Sequence, residues 1–237
     1  MKPPIDKNKV VVLTGAGVSA ESGIPTFRDA DGLWNNYSIQ QVATPGAWKA
    51  NPELVLDFYN ERRRQIADCA PNKAHIAIAK LQEKYNTIVI TQNIDDLHER
   101  AGSNQVIHVH GEITKARSES DIKDVVSIGY KDINLGDCSA DGQQLRPHIV
   151  WFGETVLNYN LAREHLKTAG KVLVVGTSLS VFPVANLLKK ARYGAEKIIV
   201  ALDIEKRPYG YRFIRGKATE MVSYISCRWL EGMRADE

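Results

Sequence analysis

The sequence predicts an α/β fold: a parallel β-sheet with helices on both faces, plus a smaller inserted module. Short β-branched runs recur along the 237 residues, and most are continuously apolar, as in strands that are buried on both faces. Helical patterns separate many of these runs, which favours a parallel sheet. Residues 112–145 are polar and only weakly periodic, so we interpret this stretch as the inserted module.

The period of the apolar residues gives the individual elements. The predicted strands are residues 10–14, 87–91, 106–109, 148–152, 171–175 and 197–202. The predicted helices are residues 52–67, 74–85, 184–193 and 219–230. Residues 20–70 carry Gly, Pro and one helical piece without a clear strand, which indicates an additional lobe or a mobile loop.

Composition and charge exclude several classes of protein. The net charge of +3 is too small to indicate nucleic acid as a partner. No apolar run approaches the roughly 20 residues that cross a bilayer, and the first residues lack a cleavage pattern, so no membrane partner is expected. Cys69, Cys138 and Cys227 are few and widely spaced, which favours a reducing, cytoplasmic location.

A glycine-rich turn follows the first predicted strand. Residues 15–20 read Gly-Ala-Gly-Val-Ser-Ala, a Gly-x-Gly-x-x-Ala pattern. Gly15 and Gly17 permit a tight turn close to a pyrophosphate, and a helix that begins there adds N–H donors. The pattern indicates a Rossmann-like, dinucleotide-binding sheet, although a tight strand-to-helix turn without a ligand also explains it.

A dehydrogenase is disfavoured because its ribose-binding acid is missing. Such enzymes place an Asp or Glu after a second strand, about 20 residues beyond the glycines, whereas residues 21–29 read as a loop. Asp203 follows the predicted strand 197–202 instead. At that position Asp203 could bind a ribose hydroxyl, or it could be an ordinary solvent-exposed acid of a loop.

Polar side chains follow three other predicted strands. Gln92, Asn93 and Asp95 come after one strand, and residues 176–178 (Gly-Thr-Ser) follow another. Ligands bind at such strand ends, but capping of the next helix explains the first group equally well. His108 and His110 lie on one face of a third strand. His110, at the strand end, is the better candidate for proton transfer near pH 7.

Together these motifs resemble the sirtuin family, the NAD-dependent protein-lysine deacylases. The matching segments, in the family's order, are residues 15–28, 91–95, 110–111, 150–154 and 176–179. The resemblance implies one catalytic domain over residues 1–237. It has a Rossmann-like NAD-binding part (1–34, 71–111 and 146–237), a helical lobe (about 35–70) and a small insertion (about 112–145).

The resemblance also implies the site residues. His110 is the general base, and Asn93 is the second catalytic residue. The implied NAD-binding residues are Gly15, Ala16, Gly17, Ala20, Phe27, Arg28, Trp34, Gln92, Asn93, Ile94, Asp95, Gly176, Thr177, Ser178, Asp203, Ile204, Glu205 and Ala218. The residues implied to pair with the substrate backbone by strand addition are Val150, Trp151, Phe152, Gly153 and Glu154.

The implied reaction uses an acyl-lysine protein and NAD. Loss of nicotinamide leaves an electron-poor ribose carbon, which a positioned acyl carbonyl oxygen attacks. His110 then activates a ribose hydroxyl, which attacks the resulting adduct. Water finishes the reaction, and the products are free lysine, nicotinamide and O-acyl-ADP-ribose. Two alternatives stay open: a protein mono-ADP-ribosyltransferase and a non-catalytic NAD-sensing module.

Two residues bear on the acyl group. Tyr59 and Arg62 share a face of the predicted helix 52–67. Arg62 also falls on the apolar stripe, where it needs a partner or must reach solvent along its stem. The pair matches the Tyr-x-x-Arg of sirtuins that accept acidic acyl groups. The resemblance therefore implies succinyl- and malonyl-lysine as substrates.

The inserted module departs from the family. Most sirtuins carry two cysteine pairs there, which bind structural zinc, whereas residues 112–145 contain only Cys138. Ser118, Asp121 and Asp141 stand near the remaining positions, and one thiolate with such partners makes a poor zinc site. We therefore expect no zinc, and a module held by apolar contacts such as those of Val125, Val126, Ile128 and Tyr130.

Overall fold

The computed structural model describes residues 3–26 and 37–235, and this part of the chain contains nine strands in two sheets. The strands are β1 (Asp6–Thr14), β2 (Asn86–Thr91), β3 (Val106–His108), β4 (Gly111–Ser118), β5 (Val125–Ser127), β6 (Leu145–Ile149), β7 (Ala169–Val175), β8 (Glu196–Ala201) and β9 (Arg212–Arg215). The helices are α1 (Ile39–Val42), α2 (Pro45–Ala50), α3 (Pro52–Asp68), α4 (Lys73–Lys80), α5 (Leu97–Arg100), α6 (Tyr159–Thr168) and α7 (Ala218–Leu230). None of these described helices combines the length and apolar character that a bilayer crossing needs.

The larger sheet confirms the predicted α/β fold. Its six strands run in the order β3-β2-β1-β7-β8-β9, and every neighbouring pair is parallel. In central β1, residues 10–13 have no exposed surface, and each such Val or Leu contributes about 1.5–3 kcal/mol. Residues of α4 and α7 pack on one face, and residues of α6 and the 3-10 helix Val184–Lys190 pack on the other.

The register of the central strands places their polar ends at one edge. Thr14 at the end of β1 pairs with Thr91 of β2 and with Val175 of β7. The Thr14 hydroxyl donates to Oγ1 of Thr91 at 2.8 Å. The three loops that follow these strands therefore leave the sheet side by side, where ligands of parallel sheets bind.

The predicted strand at residues 148–152 is wrong in its bounds and its sheet. β6 ends at Ile149 and pairs antiparallel with β4, in a second sheet of order β5-β4-β6. Residues 151–154 instead form a turn, in which the N–H of Glu154 donates to the carbonyl of Trp151 at 3.0 Å. A short apolar run reads alike in either sheet, so the pattern alone could not separate them.

The α-helix expected after the glycine turn is also wrong. Residues 15–26 form two 3-10 turns, Ala16–Val18 and Ala20–Ser22, and Gly23 ends the second with φ of 91°. An α-helix dipole therefore does not reach this loop, and single backbone N–H groups are its remaining donors. The predicted helix at residues 74–85 divides into α4 and a 3-10 turn, and Val184–Lys190 is 3-10 throughout.

Buried polar groups join α3 to the smaller sheet. Nε of Arg63 donates to the carbonyl of Ile113 at 2.8 Å, and Nη1 donates to Oδ1 of Asn60 at 2.6 Å. The Asn60 amide in turn donates to the carbonyl of Ile133 at 2.9 Å. Burial lowers the pKa of Arg63 to about 10, which leaves it charged at neutral pH. The inward face of α3 thus has a fixed position against β4.

An oxygen cluster links the end of β4 to the loop before β6, near the positions compared above with zinc ligands. The hydroxyls of Ser118 and Ser120 donate to Oδ2 of Asp141 at 2.6 and 2.9 Å. The Cys138 thiol donates to the carbonyl of Gly136 instead. In the described residues, no group of three or more His, Cys, Asp or Glu side chains is arranged to hold a metal ion.

The apolar contacts of this module match the expected ones only in part. Val126 and Tyr130 are each 37 % exposed, so they add little to a core. Ile113 and Ala116 of β4, together with Ile133, are buried and join the cluster around α3. Ile128 packs against the same cluster, as expected. The expectation is wrong for Val126 and Tyr130 because the polar segment has no apolar period that would identify its inward face.

We predict that Asp141→Ala lowers the melting temperature, since both serine hydroxyls lose their acceptor. Hydrogen bonds, first that from Ser118, lower the pKa of Asp141 below its usual 3.8. The stabilisation is therefore complete above that value and is lost as the pH falls through the lower pKa. Thermal unfolding between pH 3 and pH 8 measures this pH dependence. The double variant with Ser118→Ala and Asp141→Ala should lose less melting temperature than the two single variants lose in sum. Strict additivity at neutral pH would contradict the cluster.

Candidate active site

Two glycine turns contact each other at the strand-end edge. The N–H of Gly17 donates to the carbonyl of Gly176 at 2.8 Å, and that of Gly15 donates to the carbonyl of Val175 at 3.0 Å. A Cβ on Gly17 would lie 2.8 Å from Cα of Gly176. Gly176 has φ of 62°, and its own Cβ would lie 2.3 Å from the N atom of Val18. Only glycines permit this approach, so the turns form a cradle of bare backbone.

The loop after β2 contributes a buried carboxylate and amide. The Ser19 hydroxyl donates to Oδ2 of Asp95 at 3.0 Å, and Nδ2 of Asn93 donates to the same hydroxyl oxygen at 3.0 Å. The N–H of Leu97 donates to Oδ1 of Asp95 at 3.2 Å, so Asp95 also stabilises the turn before α5, although the N-cap residue Asp96 makes no side-chain cap bond. Burial raises the pKa of Asp95. These bonds join the loop to the glycine turn.

His110 is held by the same loop. Its Nδ1 lies 3.0 Å from the carbonyl of Gln92. Because a carbonyl only accepts, Nδ1 carries the proton and Nε2 of the neutral ring keeps a lone pair. Burial lowers the pKa of His110 below 6.5, partly offset by this hydrogen bond. The imidazole is therefore neutral at pH 7 and ready to accept a proton at Nε2.

His108 has a different environment, although it is only two residues away. Its Nδ1 lies 3.1 Å from the carbonyl of Asn93, and its Nε2 lies 2.8 Å from Oε1 of Glu99. Burial alone lowers the pKa of His108, but the hydrogen bond and charge of Glu99 raise it above 6.5. Both ring nitrogens make hydrogen bonds, so His108 stabilises the loop after β2.

Sequence reasoning missed the polar groups behind the loop. Nε2 of His75 lies 3.4 Å from Oγ of Ser19, and Nε2 of His98 lies 3.0 Å from Oγ1 of Thr14. The two rings are in edge contact at 4.8 Å. Burial lowers the pKa of His75 to about 4 and lowers that of His98 well below 6.5. No pattern in the sequence indicated these contacts, because they join segments that are far apart along the chain.

The residues expected at the adenosine end follow β7 and β8. The N–H of Glu205 donates to the carbonyl of Ser178 at 3.1 Å, so these two loops touch. Thr177 lies beside the first turn, because a Cβ on Gly15 would come within 2.8 Å of its Cβ. Asp203 and Glu205 are exposed, Ile204 is half-buried and Ala218 is buried.

The first turn of α7 is linked to the glycine turn. The carboxylate of Glu21 accepts from the N–H and the hydroxyl of Thr219, at 3.1 and 2.9 Å. Ala218 stands at the start of α7. The expected ligand residues of α7 and of the turn are therefore brought together.

Tyr59 and Arg62 both lie inside the molecule, on α3. This helix begins after Asn51, whose side chain accepts from the N–H of Leu54, and Pro52 fills its first position. Tyr59 is 1 % exposed and Arg62 is 4 % exposed, which excludes an arginine stem that reaches solvent. Burial lowers the pKa of Arg62, while Tyr59 and Asp95 are close enough to raise it. The helix thus brings a guanidinium to the Asp95 loop.

The turn after β6 is divided between interior and surface. Trp151 is 2 % exposed, whereas Phe152 is 50 % exposed. The N–H groups of Val150, Trp151 and Phe152 donate to His110, Glu154 and Ala43. Half-buried Val150 therefore lies beside the histidine backbone, while Phe152 and Gly153 face outward.

Most of the expected site residues converge at one edge of the sheet. Gln92 lies between the glycine turn and the imidazole: its Oε1 lies 3.1 Å from a Cβ built on Gly15, and its carbonyl holds His110. Ala16 is exposed, and Ala20 and Ile94 are half-buried beside them. Phe27, Arg28 and Trp34 lie outside the described residues. A bare-backbone cradle with buried polar groups beside it fits a dinucleotide.

Comparison with known proteins agrees with this geometry. Residues 15–183 match the model of the Sir2 family. The chain belongs to the Sir2 family. It is 54 % identical over 186 residues to an NAD-dependent protein deacylase of Helicobacter pylori, covering 78 % of this chain and 81 % of that protein. It is 45 % identical over 233 residues to one of Pasteurella multocida, covering 94 % and 98 %.

Solved Sir2 structures share the fold. A Sir2 homologue in complex with NAD superposes with a TM-score of 0.82 at 39 % identity, covering 94 % of this chain and 90 % of the other. A mutant Sir2 homologue in complex with ADP-ribose gives a TM-score of 0.85 at 37 % identity, covering 94 % and 92 %. The fold and family of this chain are thereby established from two directions.

We predict that His108 and His110 of this Sir2 protein titrate on opposite sides of 6.5. His110 should stay neutral until the pH falls below that value, and His108 should remain charged above it. Long-range ¹H–¹⁵N NMR of the imidazoles reports both midpoints and the Nδ1–H tautomer of His110. As a control, Glu99→Gln should lower only the midpoint of His108. A midpoint of His110 above 6.5 would overturn the assignment.

Proposed function

We propose that this NAD-dependent protein deacylase acts on acidic acyl groups of lysine, succinyl and malonyl, as well as on acetyl groups. We propose further that it transfers the acyl group to ADP-ribose and releases nicotinamide. The deacylase activity is supported by membership of the Sir2 family and by the curated relatives. The acidic preference is carried by one observation, the buried Tyr59–Arg62 pair beside the Asp95 loop.

The glycine cradle and the Asp95 loop are the proposed NAD site. When bound, NAD supplies a ribose carbon that becomes electrophilic as nicotinamide leaves. The turns at Gly15 and Gly176 let the backbone approach a pyrophosphate. Asn93 and Asp95 are the proposed contacts of the nicotinamide ribose and amide, because they are fixed by Ser19 at the inner end of the cradle. Phe27, Arg28 and Trp34 complete the proposed set.

His110 is the proposed general base. The hydrogen bond between Nδ1 and the carbonyl of Gln92 places the ring proton on Nδ1. The lone pair of Nε2 is therefore available to accept a proton. A lowered pKa keeps the ring unprotonated at neutral pH, as removal of a hydroxyl proton requires. The N–H of Val150 donates to the carbonyl of His110, and the residues that follow, Phe152 and Gly153, are exposed. The proposed acyl-lysine would therefore reach His110 from the surface, past Phe152 and Gly153.

We propose that the acyl pocket accepts a carboxylate from the substrate. Arg62 carries a buried positive charge beside Tyr59, and an anionic acyl terminus would complement that charge. A planar guanidinium pairs with a carboxylate through two parallel hydrogen bonds, and the Tyr59 hydroxyl adds a donor, since burial raises its pKa. A succinyl or malonyl terminus supplies the anion. An acetyl group does not, which is the basis of the proposed preference.

Further proposals concern metal, partners and location. The oxygen cluster at Asp141 supports a module without structural zinc, and metal analysis of protein purified without chelator should find no stoichiometric zinc. One zinc per chain would refute this. The proposed partners are NAD and acylated lysines of proteins, with no nucleic acid or membrane, in the cytoplasm.

The direct test is turnover of acetyl-, succinyl- and malonyl-lysine peptides, with and without NAD, followed by mass spectrometry. We expect free lysine, nicotinamide and O-acyl-ADP-ribose in equal amounts, all dependent on NAD. His110→Ala should lower turnover by about 10²–10⁴-fold, the usual contribution of a general base. Nicotinamide release without acyl-peptide, with ADP-ribose attached to protein, would identify a transferase instead.

We predict that Arg62→Met lowers kcat/KM for the succinyl peptide by about 100-fold relative to the acetyl peptide. Losing a buried charge-assisted pair costs about 2–5 kcal/mol, and 1.4 kcal/mol is tenfold. Arg64→Met is the matched control, because the Arg64 side chain lies on the same helix but is 57 % exposed. That control should keep the ratio of the two substrates. Equal losses of both activities in Arg62→Met would show that the selectivity proposal is wrong.

A further inference from the structure

The indole of Trp151 is held in one orientation. Its backbone N–H donates to Oε2 of Glu154 at 2.8 Å. Cζ of Arg146 lies 3.2 Å from the ring centroid, and the ring of Trp48 lies 5.8 Å away. A cation on the ring, a second aromatic ring and a carboxylate on the backbone together leave the indole no other rotamer without loss of contacts.

Two buried arginines fix the carboxylate that holds Trp151. Nη1 and Nη2 of Arg146 donate to the two oxygens of Glu154 at 2.8 and 3.1 Å. Nη2 of Arg117 lies 3.3 Å from the same group. Although burial raises the pKa of Glu154, the hydrogen bonds from Arg146 lower it below its usual value. The pair is bidentate and charged, which is the most directional form of such a contact.

The indole in turn orients Tyr59. Nε1 of Trp151 donates to the Tyr59 hydroxyl oxygen at 3.1 Å. A phenol has one proton and accepts through its lone pairs. Because the Tyr59 oxygen accepts the hydrogen bond of the indole N–H, the hydroxyl proton of Tyr59 points away from Trp151. Tyr59 and Arg62 share a face of α3, and the two interact electrostatically.

We propose that Trp151 is a positioning residue for acyl selectivity: its indole N–H aims the Tyr59 proton at the terminal carboxylate of an acidic acyl group. Arg146 and Glu154 support this role by holding the indole. The inference rests on the proposed preference for acidic acyl groups. It adds a residue that acts through Tyr59 and does not itself touch the acyl carboxylate.

The test is a double-mutant cycle read as the ratio of kcat/KM for succinyl- and acetyl-lysine peptides. Trp151→Phe keeps an aromatic ring and removes the N–H, and should lower the ratio about tenfold, the scale of one hydrogen bond to a charged group. In Tyr59→Phe protein the same change should move the ratio less than about twofold. An equal drop in both backgrounds, or a loss shared by both substrates, would overturn the inference.

Trp48→Phe is the matched control. Trp48 stacks beside Trp151, but its indole N–H donates to Oε2 of Glu119 at 3.0 Å. The ratio should therefore stay within about twofold of the parent. A parent enzyme without succinyl turnover would sink the proposed preference itself. If the parent enzyme removes succinyl groups but the effects of Trp151→Phe and Tyr59→Phe are additive, only the proposed role of Trp151 would be wrong.

A second measurement does not depend on a folded Trp151 variant. In ¹H–¹⁵N spectra, the Trp151 indole N–H should move upfield in Tyr59→Phe, because its acceptor is gone. With a non-hydrolysed nucleotide analogue present, a succinyl-lysine peptide should shift this signal more than an acetyl-lysine peptide does. An indole signal that is indifferent to Tyr59→Phe and to the acyl group would refute the coupling.

Discussion

The contact between the two glycine turns is the constraint on which the site depends. Gly17 and Gly176 lie so close that neither tolerates a Cβ, and their hydrogen bond joins the loops after β1 and β7. Since β1 is central and β7 is its neighbour, this contact sets where the remaining strand-end loops can lie. The Asp95 loop and the imidazole are then attached to it through Ser19 and Gln92.

Buried hydrogen bonds fix the glycine turn and helix α3, which carries Tyr59 and Arg62, in their places in the fold. The hydroxyl of Ser19 joins the turn to Asp95, and Arg63 joins α3 to β4 through the carbonyl of Ile113. In the apolar interior such bonds are stronger than in water, and an unsatisfied group is costly. The result is that a helix outside the main sheet presents Arg62 at a defined place.

The sequence predicts five of the six strands of the main sheet, whereas β9 is not predicted and residues 148–152 are assigned to the wrong sheet. Continuous apolar runs identify strands buried on both faces, and residues at their ends fall on one edge by topology alone, which is why Asp95 and His110 were found. Contacts between segments that are far apart in the sequence do not produce a periodic pattern. Arg146, which stacks on Trp151, and His75, behind Ser19, therefore escaped notice. The segment 112–145 has no apolar period, so of its inward side chains Ile128 was identified, whereas Ile113, Ala116 and Ile133 were not.

The bond between Glu21 and Thr219 has a consequence for the ends of the chain. It ties the last long helix to the loop after the first strand, although 198 residues separate them along the sequence. Helix α7 is thus fastened to the glycine turn as well as packed on the sheet. A displacement of α7 would therefore be transmitted to the loop after β1, at the opposite end of the sequence.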